Sequence, residues 1–113
     1  MAYKLIVTEE MEKLLDNCVN YILRKFKNEQ AASHLLDEVE RIYKDLESNP
    51  AIFSISEGPF LAALTYREAV LHGMNYKIIF KITDDTVYIL GIYHDLENYV
   101  EKIRQIWDSL NLK

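Results

Sequence analysis

The stretch from Tyr76 to His94, YKIIFKITDDTVYILGIYH, constrains the fold more than any other part of the chain. Two apolar runs flank Thr83-Asp84-Asp85-Thr86, the pattern of a β-hairpin closed by a tight polar turn. From Tyr76 to Ile82 apolar residues alternate with Lys77 and Lys81, as in a strand whose second face is partly wet. From Val87 to Ile92 both faces are apolar, as in a strand in the middle of a sheet. The chain must therefore build a sheet, and that sheet mounts cations and an imidazole on a rigid frame.

The remaining elements follow from periodicity. Tyr3 to Thr8 reads as a first strand, with Thr8 as the N-cap of a helix whose first turn holds Glu9, Glu10 and Glu12. Met11, Leu14, Leu15, Cys18, Ile22 and Phe26 recur at helical spacing, and Arg24, Lys25 and Lys27 close the last turn before a break at Asn28. A second helix runs from about Glu29 to Glu47, and Ser48-Asn49-Pro50 stops it, because proline cannot continue the hydrogen-bond ladder. Two apolar stripes joined by a short polar link make an antiparallel helical hairpin. Ala51 to Thr65 reads as irregular chain or one helical turn around Gly58-Pro59. Tyr66 to Leu71 is a strand, His72 to Asn75 a turn, and from Asp95 onward a C-terminal amphipathic helix carries Leu96, Tyr99, Val100, Ile103, Ile106, Trp107 and Leu110. The expectation is an α+β fold in the order β-α-α-β-β-β-α. It has an antiparallel sheet, an N-terminal helical hairpin packed on one face, and a C-terminal helix.

Totals exclude several function classes. A length of 113 residues makes one domain. No apolar run approaches the ~20 residues of a membrane span, and no secretory signal opens the chain. Cys18 is the single cysteine, so no internal disulfide forms, which fits a reducing cytoplasm. Its place on an apolar stripe reads as an inert core thiol. A net charge of −5 excludes a chain that grips nucleic acid over its whole surface, because phosphate neutralisation needs a basic protein. His34, His72 and His94 lack metal-ligand spacing, and the three glycines form no phosphate-cradling loop, so no metal or cofactor is expected. Ser33 beside His34 is not a nucleophile–base pair, since adjacent helical residues do not face each other.

If Gly73-Met74 and Asp84-Asp85 are two-residue loops, register follows by counting. Arg67 then opposes Phe80, Val70 opposes Lys77, Lys77 opposes Ile92, and Asn75 opposes His94. One face collects Ala69, Leu71, Tyr76, Ile78, Phe80, Ile82, Val87, Ile89 and Tyr93 under the helices, and Arg67 falls on this core side. The other face collects Glu68, Val70, Lys77, Ile79, Lys81, Tyr88, Leu90, Ile92 and His94. Taken singly, the two lysines read as solvated strand positions, Glu68 as their diagonal partner, and His94 as a local cap. Their shared face is what makes a binding or catalytic surface of them.

The chain resembles the RelE/ParE superfamily of toxins from type II toxin–antitoxin pairs, over most of its length. The resemblance is carried by Tyr76-Lys77-Ile78-Ile79-Phe80, Asp84-Asp85, and Val87-Tyr88-Ile89-Leu90 running to His94. Tyr21-Ile22, Ala31-Ala32 and Leu46-Glu47-Ser48-Asn49-Pro50 resemble the ParE-like branch. It implies a single toxin domain over residues 1–113, growth inhibition, and neutralisation by a cognate antitoxin in an oligomeric complex. Two branches imply two activities. RelE-like toxins are metal-independent endoribonucleases that cleave messenger RNA on the ribosome. The matching residues here are Lys77 on the phosphate, His94 as acid or base, Tyr99 near the scissile nucleotide, and Glu68 or Arg67 in support. ParE-like toxins bind and poison DNA gyrase without chemistry of their own. A third reading is a degenerate member that binds only its antitoxin. RNA cleavage is the leading expectation, because the imidazole is in place. Two departures stand out: the family's strand arginine is Lys77, which lacks the bidentate fork for phosphate, and Asp95 follows His94.

Overall fold

The computed structural model describes residues 3–53, 66–94 and 100–110. The strands are β1 (Lys4–Val7), β2 (Arg67–Val70), β3 (Tyr76–Thr83) and β4 (Thr86–His94). The helices are α1 (Glu9–Tyr21), α2 (Glu29–Ser48) and α3 (Val100–Leu110). A π-helical turn, Ile22–Phe26, extends α1, and a 3-10 turn, Pro50–Ile52, follows α2. The expected Gly58-Pro59 turn and the start of the last helix at Asp95 lie outside the described residues.

Local chemistry sets the helix starts. The Thr8 hydroxyl accepts from the Met11 amide at 3.1 Å and donates to the Ile89 carbonyl at 2.8 Å, so one side chain both caps α1 and pins it to β4. The break at Asn28 is also a cap, its side-chain oxygen accepting from the Ala31 amide at 3.0 Å. Between the two helices Lys27 adopts a left-handed conformation at φ 50, which lets the chain reverse in two residues.

The sheet order is β1-β4-β3-β2, and it is mixed. β2, β3 and β4 are antiparallel as expected, but β1 lies parallel to β4. The cause is where α2 delivers the chain. The Tyr3 amide donates to the Glu47 carbonyl at 2.8 Å, so the end of α2 sits beside the start of β1. Arg67, opening β2, donates to the nearby Phe53 carbonyl at 2.7 Å. β2 therefore sets off from the same end as β1, and two reversals later β4 runs in the direction of β1.

Two apolar layers sandwich the sheet. The larger joins α1 and α2 to Ala69, Leu71, Ile78, Phe80, Val87, Ile89 and Ile92, with Cys18 at its margin. The smaller sets α3, through Ile103, Ile106 and Trp107, against Tyr66, Ile79, Tyr88, Leu90 and Tyr93. Each buried aliphatic or aromatic side chain contributes roughly 1.5–3 kcal/mol, so neither face of the sheet is a free surface.

Candidate functional site

The β2–β3 register is the one the sequence predicts, with Arg67 opposite Phe80 and Val70 opposite Lys77. The β3–β4 register holds from the turn to the Phe80–Ile89 pair and then slips, because Ile79 faces Gly91. Leu90 is the extra residue of a β-bulge. Beyond it every β4 side chain changes side. Lys77 faces Tyr93, not Ile92, and His94 faces Tyr76, not Asn75. Ile92 joins the larger core and Tyr93 the smaller one.

The expectation that Glu68, Lys77 and His94 share a face is therefore overturned. Glu68, Lys77 and Lys81 lie on the side covered by α3. The Lys77 ammonium approaches the Glu68 carboxylate at 3.5 Å, and their side chains are 14% and 8% exposed. That separation is too long for a strong hydrogen bond, so the contact is chiefly coulombic. The Lys81 ammonium lies 4.9 Å from the centre of the Tyr66 ring and 5.5 Å from that of Trp107. Burial there pushes the Lys81 ammonium down from its ordinary value. Burial, helped by the charge of Asp108, pushes the Tyr66 hydroxyl up to about 12.

His94 is on the opposite side, half-buried, its ring edge-on to that of Tyr76 at 5.4 Å. Arg67 is also on this side, at the far end of the sheet, where it anchors Phe53. Tyr99 lies outside the described residues. Phosphodiester cleavage by a neighbouring hydroxyl needs its acid, base and phosphate-binding cation within hydrogen-bond reach of one phosphate. A phosphate touching the His94 imidazole would have the sheet between it and Lys77.

His94 instead lines an open cleft of about 450 Å³. One wall is the end of α1 and the π turn, with Tyr21, Ile22 and Phe26; another is the cap residue Asn28 with Ala31 of α2. The third is the β2–β3 turn, Gly73 to Asn75, with Tyr76 behind it. Sequence reading missed this cleft, because helical spacing placed Phe26 on the buried stripe. The π turn widens the helix, leaves Phe26 62% exposed, and sets its ring edge-on to Tyr21 at 5.7 Å.

The turn wall is held by α2. The His72 amide donates to Glu38 Oε1 at 2.9 Å, and His34 Nε2 lies 2.9 Å from the His72 carbonyl, so His34 must carry its proton on Nε2 to donate there. Arg41 grips the same Glu38 carboxylate at 2.9 Å. The Arg41 hydrogen bond, followed by the His72 amide, pulls the Glu38 carboxyl down from 4.5 to about 2. A carboxyl depressed on folding stabilises the protein above its unfolded pKa and loses that contribution as pH falls. Arg41 is 35% exposed, so the contribution is discounted for solvent screening. Between pH 4.5 and 2, wild type should lose about 1–2 kcal/mol more than Glu38→Gln in denaturant titrations. Equal acid slopes would contradict the clamp.

Residues 5–99 match the family described as the ParE toxin of the type II toxin–antitoxin system parDE. The chain belongs to the ParE toxin family. The fold agrees with two solved structures. One is the chromosomal ParDE system of P. aeruginosa, at TM-score 0.66 and 21% identity over 82% of this chain and 96% of that one. The other is the RelBE2 toxin–antitoxin complex of Mycobacterium tuberculosis, at TM-score 0.57 and 23% identity over 83% and 99%. At such identities the likeness speaks for the fold alone. No curated protein matches this ParE-family chain. Among its described residues no helix is long and apolar enough to cross a membrane.

Proposed function

We propose that this toxin arrests growth by binding a protein target through the His94 cleft, without cutting RNA, and that a cognate antitoxin in the same cytoplasm neutralises it. The observation that carries this reading is the bulge at Leu90. It leaves the imidazole and the Lys77 ammonium on opposite sides of the sheet, the latter beside the buried Glu68 carboxylate on the side against which α3 packs. The net charge of −5 supports the same reading, since a ribosome-bound nuclease works against dense phosphate charge. Resemblance to the ParE branch makes DNA gyrase the first target to test.

Adding the purified chain to gyrase and supercoiled DNA should inhibit supercoiling or trap cleaved DNA. Phe26→Ser should weaken that effect about tenfold or more, because an exposed aromatic rim residue is a typical binding anchor. The antitoxin, added first, should abolish it. Unimpaired gyrase together with cleaved messenger RNA would reverse the assignment.

A further inference from the structure

Beside the cleft, the segment Asn17 to Gln30 carries three cations, Arg24, Lys25 and Lys27, against one acid, Glu29. Arg24 and Lys25 line a hollow that shares Tyr21 with the cleft. Lys27 sits between Phe26 and Asn28, both cleft residues. All three cations are exposed, and none forms an ion pair among the described residues. Elsewhere the described cations Arg41 and Lys77 are matched to carboxylates. Tyr21 at 51%, Leu23 at 37% and Phe26 at 62% exposure stand among these charges. A chain with a net charge of −5 thus gathers three exposed cations, within four residues, around exposed aromatic and aliphatic side chains.

We infer that the cleft takes an acidic protein segment carrying an aromatic or aliphatic anchor. The anchor seats against Tyr21, Phe26 and Met74, and its carboxylates face Arg24, Lys25 and Lys27. Complementary charge raises the encounter rate and rejects basic segments, while the apolar contact supplies residence time. Nucleic acid fits less well. It would match the three cations, but the net negative charge of the chain repels a polyanion, and the apolar rim would remain wet. The inference rests on the cleft being the toxin's binding surface, and it specifies the chemistry of what that surface accepts.

The test uses the full chain and four fluorescent probes. These are a peptide of about 12 residues rich in Glu with one Trp and two Leu, its Glu→Lys counterpart, its Trp/Leu→Ser counterpart, and a single-stranded RNA of similar length. The acidic anchored peptide should bind, with amide shifts at Tyr21, Ala31 and Met74. Each other probe should bind about tenfold more weakly or less. Arg24→Glu combined with Lys25→Glu should invert the preference toward the Lys peptide, and Phe26→Ser should weaken both. Raising salt from about 50 to about 300 mM should weaken the acidic anchored peptide. Equal binding of the Lys peptide, preferred binding of RNA, shifts elsewhere, or no peptide binding would each overturn the inference. Because the readout is binding, it stands or falls separately from whether the chain inhibits gyrase.

Discussion

Lys77→Ala is expected to destabilise the protein by about 3 kcal/mol, because it strands the buried Glu68 carboxylate. Glu68 is 8% exposed, the Lys77 ammonium lies 3.5 Å from its carboxylate, and water cannot readily replace that ammonium. Removing both charges is different. Glu68→Met combined with Lys77→Met should lie within about 1 kcal/mol of wild type, since an ion pair in a closed site repays little more than its desolvation. Urea unfolding of the two single variants and the double closes a thermodynamic cycle. Single variants that cost less than about 0.5 kcal/mol would mean that the pair is solvated.

Gly91→Ala should cost about 2–3 kcal/mol through overpacking. A methyl group there would lie 2.5 Å from the Tyr93 hydroxyl oxygen and 2.6 Å and 2.7 Å from two of its ring carbons. The bulge puts both residues on the α3 side, and Tyr93 is 1% exposed, so its ring cannot swing out to solvent. Tyr93→Leu should relieve the clash, making the pair of substitutions less destabilising than their sum by about 1 kcal/mol or more. Strict additivity in thermal or urea unfolding would contradict the close approach of ring to backbone.

Much of this architecture was legible in the chain. Helical spacing found α1 and α2, Thr8 was recognisable as a cap, and the polar turn at Asp84-Asp85 fixed the near half of the β3–β4 register. The far half was lost to one inserted residue. Counting alternate positions assumes an unbroken ladder, and a bulge inverts every face beyond it. Gly91 was the available signal, because a glycine inside an apolar strand often marks a bulge or a close approach. The direction of β1 was not legible, since it depends on where α2 ends and not on any pattern within the strand. Nor was the open cleft, because helical periodicity takes α1 as regular through Phe26, whereas the π turn swings that ring outward.

The most direct test is to induce wild type and the Glu68→Met/Lys77→Met variant in cells and map messenger RNA ends genome-wide as growth slows. Both proteins should arrest growth without creating new message ends, because neither residue touches the binding cleft and no RNA chemistry is involved. New ends under wild type that vanish in the variant would mean that Lys77 acts on phosphate, and the separation of the two sheet faces would not describe how this toxin works.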